Sequence, residues 1–348
     1  MVEKRITMAT GEFDLIGQYF TNQSVERDDV IQGIGDDCAI LALPAGKHLV
    51  VTTDTMVTGV HFLADADPAD VAHKLVAVNM SDLAAMGAEP AWASLALTLP
   101  DYDRDWLAKF SDSLHLQLRV YGVSLIGGDT TKGPMTLTLT VQGFAQQGNA
   151  LQRRGAKAGD LIYCSGSIGD AAAGLALLQT TDEQNMANIT ASDRAFLVGR
   201  HQRPTARIEA GLALVGIASS CIDLSDGLAS DLKHILRASS HAEPLAADIE
   251  LTQLPLSLAL QRYLPAVEWP QYALAGGDDY ELLFTVPAEH EVLLTQAMQS
   301  LDLACNKIGI VTQPDQAHAD KPVEMAQINY FYNNTLTALA LQGWDHFQ

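Results

Sequence analysis

The chain has 348 residues, 48% of them apolar and 18% charged, a globular composition that excludes a disordered or fibrous protein. Acidic side chains outnumber basic ones 42 to 21, a formal charge of −21, which argues against nucleic acid and anionic membrane as partners because both need a positive field. No apolar run approaches the ~20 residues of a membrane span, Met1 to Phe13 carries no leader-like apolar stretch, and four scattered cysteines contain no C-x-x-C, so a reducing cytoplasm is the expected location.

At ~100–200 residues per domain the length predicts two domains, each able to bury its own core. In chain order, 38–43 (CAILAL) and 48–53 (HLVVTT) are β-prone runs joined by Pro-Ala-Gly-Lys and are expected to form a hairpin. Asp67-Pro68 opens a helix that Gly87 and Pro90 close. A strand follows at 91–99, an amphipathic helix at 103–121, and a strand at 135–142 (MTLTLTVQ), where apolar and polar residues alternate strictly. The character changes after Gln146-Gln147-Gly148-Asn149, which puts the boundary near residue 150 and the domains at 1–150 and 151–348. Beyond it come a strand at 160–164, a glycine-rich turn Ser165 to Asp170, and a helix at 171–179. A polar loop is expected at 180–192, helices at 205–218 and 228–239, and strands at 280–286 and 306–311.

The acidic residues matter through their positions. In the expected hairpin Asp37 falls opposite Asp54, and like charges across a ladder repel. Either the strands slip or splay there, or a cation stands between the two. On the helix 68–86 the apolar stripes contain Asp82 and Asn79, and a buried carboxylate costs several kcal/mol unless a basic partner or a metal meets it. Four further acids stand in three Gly-Asp or Ser-Asp turns: Asp129 in GGDT (127–130), Asp223 and Asp226 in DLSDG (223–227), and Asp278 in GGDD (276–279). Any one alone reads as an N-cap or Asx-turn. Five acidic sites with Thr52 and Thr53, and no His or Cys cluster, form a hard oxygen set suited to Mg²⁺ and phosphate oxygens rather than zinc. His61 taken alone reads as a hydrogen-bonded structural histidine. Arg153-Arg154 with Lys157 is the densest basic cluster, either a solvated turn or a phosphate contact. The Ser165 to Asp170 turn could offer backbone N–H groups to an anion, but it lacks G-K-[ST] and is not a Walker A loop.

Read together, the segments resemble the thiamine-monophosphate kinases, within the superfamily that includes aminoimidazole ribonucleotide synthetase and selenophosphate synthetase. The stretches that carry the resemblance are Gly11-Glu12-Phe13, GIGDDCAI (33–40), TTDTMVTGVHF (52–62), NMSDLAAMGAEPAW (79–92), LIGGDTTKGP (125–134), DLSDGLASDL (223–232), GGDDYELLF (276–284) and the closing GWDHF (343–347). The resemblance implies an α/β (α+β) fold of two domains: an N-terminal mixed sheet with helices, paired into a barrel across a homodimer, and a C-terminal α/β sandwich. It implies ATP as co-substrate and several Mg²⁺ ions on Asp37, Thr52, Thr53, Asp54, Asp82, Asp129, Asp223 and Asp226. Gly128, Asp129, Arg153 and Ser225 would contact ATP, and His61, Asp278 and Trp344 would contact thiamine monophosphate. The family commonly carries Glu where this chain has Asp278. The implied reaction makes ADP and thiamine diphosphate, and its attacking phosphate oxygen needs no general base. Alternatives are a superfamily enzyme with another phosphoryl acceptor, a non-catalytic cation-binding protein, and a metal-dependent phosphatase.

Overall fold

The structure is a computed structural model and describes residues 15–21, 24–181, 189–240, 243–314, 326–339 and 341. Chain contacts divide it into two compact units, one of residues 1–79 and 90–144, the other of residues 80–89 and 145–348.

Among the described residues of the first unit, β1 (Val30–Gln32) pairs with β2 (Ile40–Leu41). A separate four-stranded sheet has the order β3 (Lys47–Val57), β6 (Thr136–Gln146), β4 (Glu89–Leu99), β5 (Ser124–Lys132). The hairpin expected from 38–43 and 48–53 is therefore not formed. Leu41 faces Val30, while β3 runs along β6, with Thr53 and Thr55 hydroxyls each 2.8 Å from those of Thr140 and Thr138. The Thr-rich alternation of 136–142 supplies β3 with a matching cross-strand partner that the short run 40–41 does not. Asp37 and Asp54 consequently do not face each other across a ladder.

Helix α1 (Pro68–Ala85) starts as its sequence predicts, with the Asp67 carboxylate accepting from the Ala69 N–H at 2.8 Å. Helix α2 (Arg104–Val120) is capped by Asp103, which accepts from the N–H groups of Asp105 and Trp106. Leu107, Phe110, Leu114 and Leu118 of α2 are buried, as are Leu137, Leu139 and Val141 of β6, while a second buried cluster of Ala91, Trp92, Ile126 and Phe144 packs with Val30, Ala39 and Leu41. On β3 one face stays open: Leu49 is 45% and Val51 54% exposed.

In the second unit a seven-stranded, largely antiparallel sheet runs β13 (Thr335–Thr337), β12 (Gln327–Tyr332), β9 (Ala246–Glu250), β11 (Cys305–Thr312), β7 (Leu161–Ser165), β10 (Leu282–Val286), β8 (Ser220–Asp223). Helices cover both faces. On one, Ile162, Ile222, Leu283 and Ile308 pack with Leu228, Leu232, Ile235 and Leu236 of α6 (Leu228–Ser239), the helix expected at those positions. On the other, the Tyr163 hydroxyl donates to Glu291 of α9 (Glu291–Ser300) at 2.6 Å. Helix α3 (Asp170–Gln179) follows β7, and α5 (Ile208–Leu214), α7 (Leu258–Tyr263) and α8 (Trp269–Ala275) complete the layers. The expected loop 180–192 is shorter than its polarity suggests, because α4 (Ala191–Gln202) begins inside it, with the Thr190 hydroxyl accepting from the Asp193 N–H at 3.1 Å. The segment 205–218, expected as one helix, is helical only over α5. Among the described residues no helix is long and apolar enough to cross a membrane.

Candidate active site

In the first unit Asp36, Asp37 and Asp129 line one side of a cavity of about 570 Å³, with Gly128 and Thr130, whose other walls include Phe20, Leu95 and Ile126. Three carboxylates with no basic side chain in the lining form an anionic, oxygen-rich wall. Asp129 is not in the turn its GGDT context suggests; β5 runs straight through it to Lys132. Gly128 makes this possible. Its φ is +156°, and a Cβ there would stand 1.9 Å from the Leu95 carbonyl oxygen, so only glycine lets β5 lie against β4 at that point.

On β3, Thr52 and Asp54 share the partly covered face, while the Thr53 hydroxyl faces the other way and meets Thr140. The side chain of Thr53 is thus separated from the other two by the period of the strand. Asn79, fully buried, explains its place on the apolar stripe of α1: its amide oxygen accepts from the Asp54 N–H at 3.2 Å and its NH₂ donates to the Leu75 carbonyl at 2.9 Å. His61 accepts from the Val57 N–H at Nδ1, 3.1 Å away, which leaves Nε2 as the protonated nitrogen of the neutral ring.

In the second unit, Asp82 is partly exposed rather than buried, so its desolvation cost is smaller than its apolar stripe suggests. Its neighbour Ser81, fully buried, donates to Asp223 at 2.7 Å. The motifs DLSDG and GGDDYE, far apart in sequence, are knitted together beyond the ends of β8 and β10. Leu224 N–H donates to the Glu281 carbonyl (2.8 Å), Tyr280 N–H to the Leu224 carbonyl (2.9 Å) and Asp278 N–H to the Ser225 carbonyl (2.9 Å). Gly277 permits the approach, since a Cβ there would stand 2.4 Å from the Ser225 carbonyl oxygen. This ladder brings Asp223, Ser225, Asp226 and Asp278 into one module.

Asp231, in the first turn of α6, accepts from the Asp226 N–H at 3.2 Å. Burial and the charges of Asp223 and Asp226 push its carboxyl up to about 8. The sequence holds the signal that could have found it: Asp231 stands three residues after Leu228 and one before Leu232, on the apolar stripe of a correctly expected helix. Arg153 is exposed in the loop after residue 150, as is Arg154. Trp344 and Gly11-Glu12-Phe13 lie outside the described residues.

Several N–H groups of the Ser165 to Asp170 turn are already taken, Gly166 by the Ala304 carbonyl and Ile168 by the Pro255 carbonyl. The Asp279 carboxylate already accepts from Gly169 (2.6 Å) and Ala171 (3.2 Å). Asp279 is buried, which pushes its carboxyl up to about 7 against the opposing pull of Arg200. Beside it, fully buried Glu281 binds Arg200 (2.9 Å), Arg207 and the Ser165 hydroxyl (2.6 Å). Sequence reading missed Arg200 because the start of α4 was read as loop, leaving its helical face undefined.

Among the described residues no three His, Cys, Asp or Glu side chains stand close enough to cage a metal unaided. Mg²⁺ binds through one or two carboxylates and fills its octahedron with waters and substrate phosphates. The all-oxygen wall of Asp36, Asp37, Asp129 and Thr130 and the crowding of Asp223, Asp226 and Asp231 fit the same ion, which would relieve both repulsions.

Comparison with known proteins defines the class. Residues 35–145 match the family described as AIR synthase related protein, N-terminal domain, and residues 157–320 match its C-terminal domain. The thiamine-monophosphate kinase of Escherichia coli K12 is 48% identical over 340 residues, spanning 98% of this chain and 99% of that protein. That of Haemophilus influenzae is 49% identical over 347 residues, spanning 98% and 99%. Among solved structures, thiamine-monophosphate kinase from Stenotrophomonas maltophilia K279a aligns with a TM-score of 0.79 at 40% identity, over 90% of this chain and 94% of that one. AaThiL complexed with AMPPCP and TMP aligns at 0.72 and 31% identity, over 98% of this chain and 100% of that one. The chain belongs to the thiamine-monophosphate kinases of the AIR synthase related family.

Proposed function

We propose that this protein transfers the γ-phosphoryl group of ATP to thiamine monophosphate, giving ADP and thiamine diphosphate. The observation that carries the reading is end-to-end similarity to thiamine-monophosphate kinases, one of them solved with an ATP analogue and TMP. The chemistry agrees with the residues. The acceptor is a phosphate oxygen, already ionised at neutral pH, so the chain needs no general base, and the difficulty is bringing two anions together. Mg²⁺, when bound, supplies the charge that screens this repulsion and steadies the transferring group.

In the first unit Asp37, Thr52, Thr53, Asp54 and Asp129 would hold the metal, with the Thr53 hydroxyl shared with Thr140. In the second, Asp82, Asp223 and Asp226 would do so. Gly128, Asp129, Arg153 and Ser225 would bind ATP. His61, Asp278 and Trp344 would contact thiamine monophosphate. Residues 1–150 serve ATP and Mg²⁺ binding and dimerisation, and 151–348 form the second domain of a cytoplasmic homodimer.

The test is incubation of pure protein with thiamine monophosphate, ATP and Mg²⁺, with thiamine diphosphate read as its fluorescent thiochrome. Product that requires both ATP and Mg²⁺ supports the assignment. Loss of phosphate from thiamine monophosphate without ATP would replace it with a phosphatase. No product from protein that still binds Mg-ATP would replace the acceptor.

A further inference from the structure

We propose that Tyr280 and His201 are positioning residues that fix the Asp278 carboxylate for the substrate; the inference rests on the reading of Asp278 as a substrate contact. The two oxygens of Asp278 face different residues. The Tyr280 hydroxyl donates to Oδ1 at 3.0 Å, and His201 Nδ1 stands 3.5 Å from Oδ2, an ion-pair distance for a protonated imidazole rather than a hydrogen bond. The carboxylate itself is partly open, its side chain 32% exposed, whereas that of His201 is 6% exposed on the last turn of α4. A partly solvated carboxylate on a short side chain rotates freely unless such contacts hold it.

The backbone is shaped to the same end. Asp278 has φ +69° and Tyr280 φ +51°, left-handed conformations that are strained for a residue with a Cβ. The bonds to Ser225 and Leu224 described above maintain them. The last turn of α4 grips the same segment from another side: Arg200, next to His201, donates to the Asp279 carbonyl at 3.1 Å and to Glu281 at 2.9 Å. Residues 278, 279 and 281 are thus held by one helical turn, and Tyr280 closes back on 278.

A carboxylate so held accepts hydrogen bonds and repels phosphate. The part of the phosphoryl acceptor it would meet is therefore a cationic or N–H-bearing group, not the phosphate.

The experiment is steady-state kinetics, with thermal melts, on the full chain and on Asp278→Asn, Tyr280→Phe, the double variant, His201→Leu and His201→Asn. Loss of one hydrogen bond to a charged group predicts a rise of about tenfold in KM for thiamine monophosphate in Tyr280→Phe. KM for ATP and kcat should stay within about twofold, since no contact to nucleotide is removed. The double variant should be no worse than Asp278→Asn, because Tyr280 acts through Asp278. His201→Leu should raise the same KM, and His201→Asn, which keeps a nitrogen near the Nδ1 position, should restore it. A normal KM in both Tyr280→Phe and His201→Leu, with a raised one in Asp278→Asn, would overturn the positioning role. Additive losses in the double variant would overturn it too, by giving Tyr280 its own contact. A normal KM in Asp278→Asn would instead remove the underlying reading of Asp278. If Tyr280→Phe fails to fold, the two His201 variants decide.

Discussion

Two arginines converge on one carboxylate at Glu281, whose side chain is fully buried while those of Arg200 and Arg207 are 12% and 22% exposed. Burying three charges is tolerable only while all are paired, and removing one partner of a buried pair costs about 3–5 kcal/mol. Glu281→Gln should cost a comparable amount, measured as a lower urea midpoint with an unchanged m-value. Gly166 shows how tight this site is: its φ is +56° and a Cβ would reach the Glu281 carboxylate at 2.2 Å. Asp82 is the opposite case. It is partly exposed, so Asp82→Asn should leave the melting temperature nearly unchanged while lowering kcat about a hundredfold or more, the scale on which losing one group that stabilises transition-state charge is felt. Near-normal turnover in that variant would remove Asp82 from the metal set. The conspicuous acids were legible in sequence because a charge on an apolar stripe or after a strand is costly. Glu281 was not, since its counter-charges come from α4 and from Arg207 just before α5, more than 70 residues earlier.

The start of α3 is held by a side chain from a distant loop. Asp279 accepts from the N–H groups of Gly169 and Ala171, where the helix dipole favours negative charge, yet burial raises its proton affinity. The sign of the effect follows from the two states. Unfolded, Asp279 ionises near its ordinary 3.8; folded, near 7. Between those values the folded protein holds a proton that the unfolded chain has released, so stability falls as pH rises from about 4 to about 7 and then levels. Asp279→Asn should lose this slope. Denaturation at pH 5 and pH 8 should show the parent chain losing more stability than the variant over that interval, and equal losses would contradict the assignment. Element boundaries were legible where caps and periodicity agreed, as at Asp67 for α1 and Asp103 for α2. They were not where local composition misled: the polar start of α4 reads as loop, and the glycines of GGDT read as a turn although β5 needs Gly128 to approach Leu95.

At the scale of the molecule, the face of β3 carrying Leu49, Val51, Thr53 and Thr55 stays open among the described residues. An open strand face with exposed apolar residues is a natural surface for pairing with a second copy. Sedimentation should find the parent protein at twice the chain mass, and Val51→Asp at the mass of one chain. A parent protein that sediments as a single chain would remove the dimer. A second expectation concerns the crowded carboxylates. Mg²⁺ binding the folded form alone should raise the melting temperature, by an amount corresponding to about 2.7 kcal/mol at a hundredfold excess over its dissociation constant, and EDTA should reverse it. Asp223→Asn should weaken that response, since it removes one of the repelling charges.

The sequence by itself determined the fold class, the two-domain plan and the acidic, oxygen-donor character of the site. Periodicity, caps and charge placement are local, and each awkward carboxylate announces its own cost. Only the tertiary structure decided which of these residues share a face and what holds them. It separated Asp37 from Asp54 by pairing β3 with β6, turned the Thr53 hydroxyl toward Thr140, and filled the N-terminus of α3 with Asp279. It also joined DLSDG to GGDDYE through three backbone hydrogen bonds. Strand partners and buried counter-charges come from residues tens to hundreds of positions away, and their choice rests on packing free energy summed over the whole chain, which no local pattern carries.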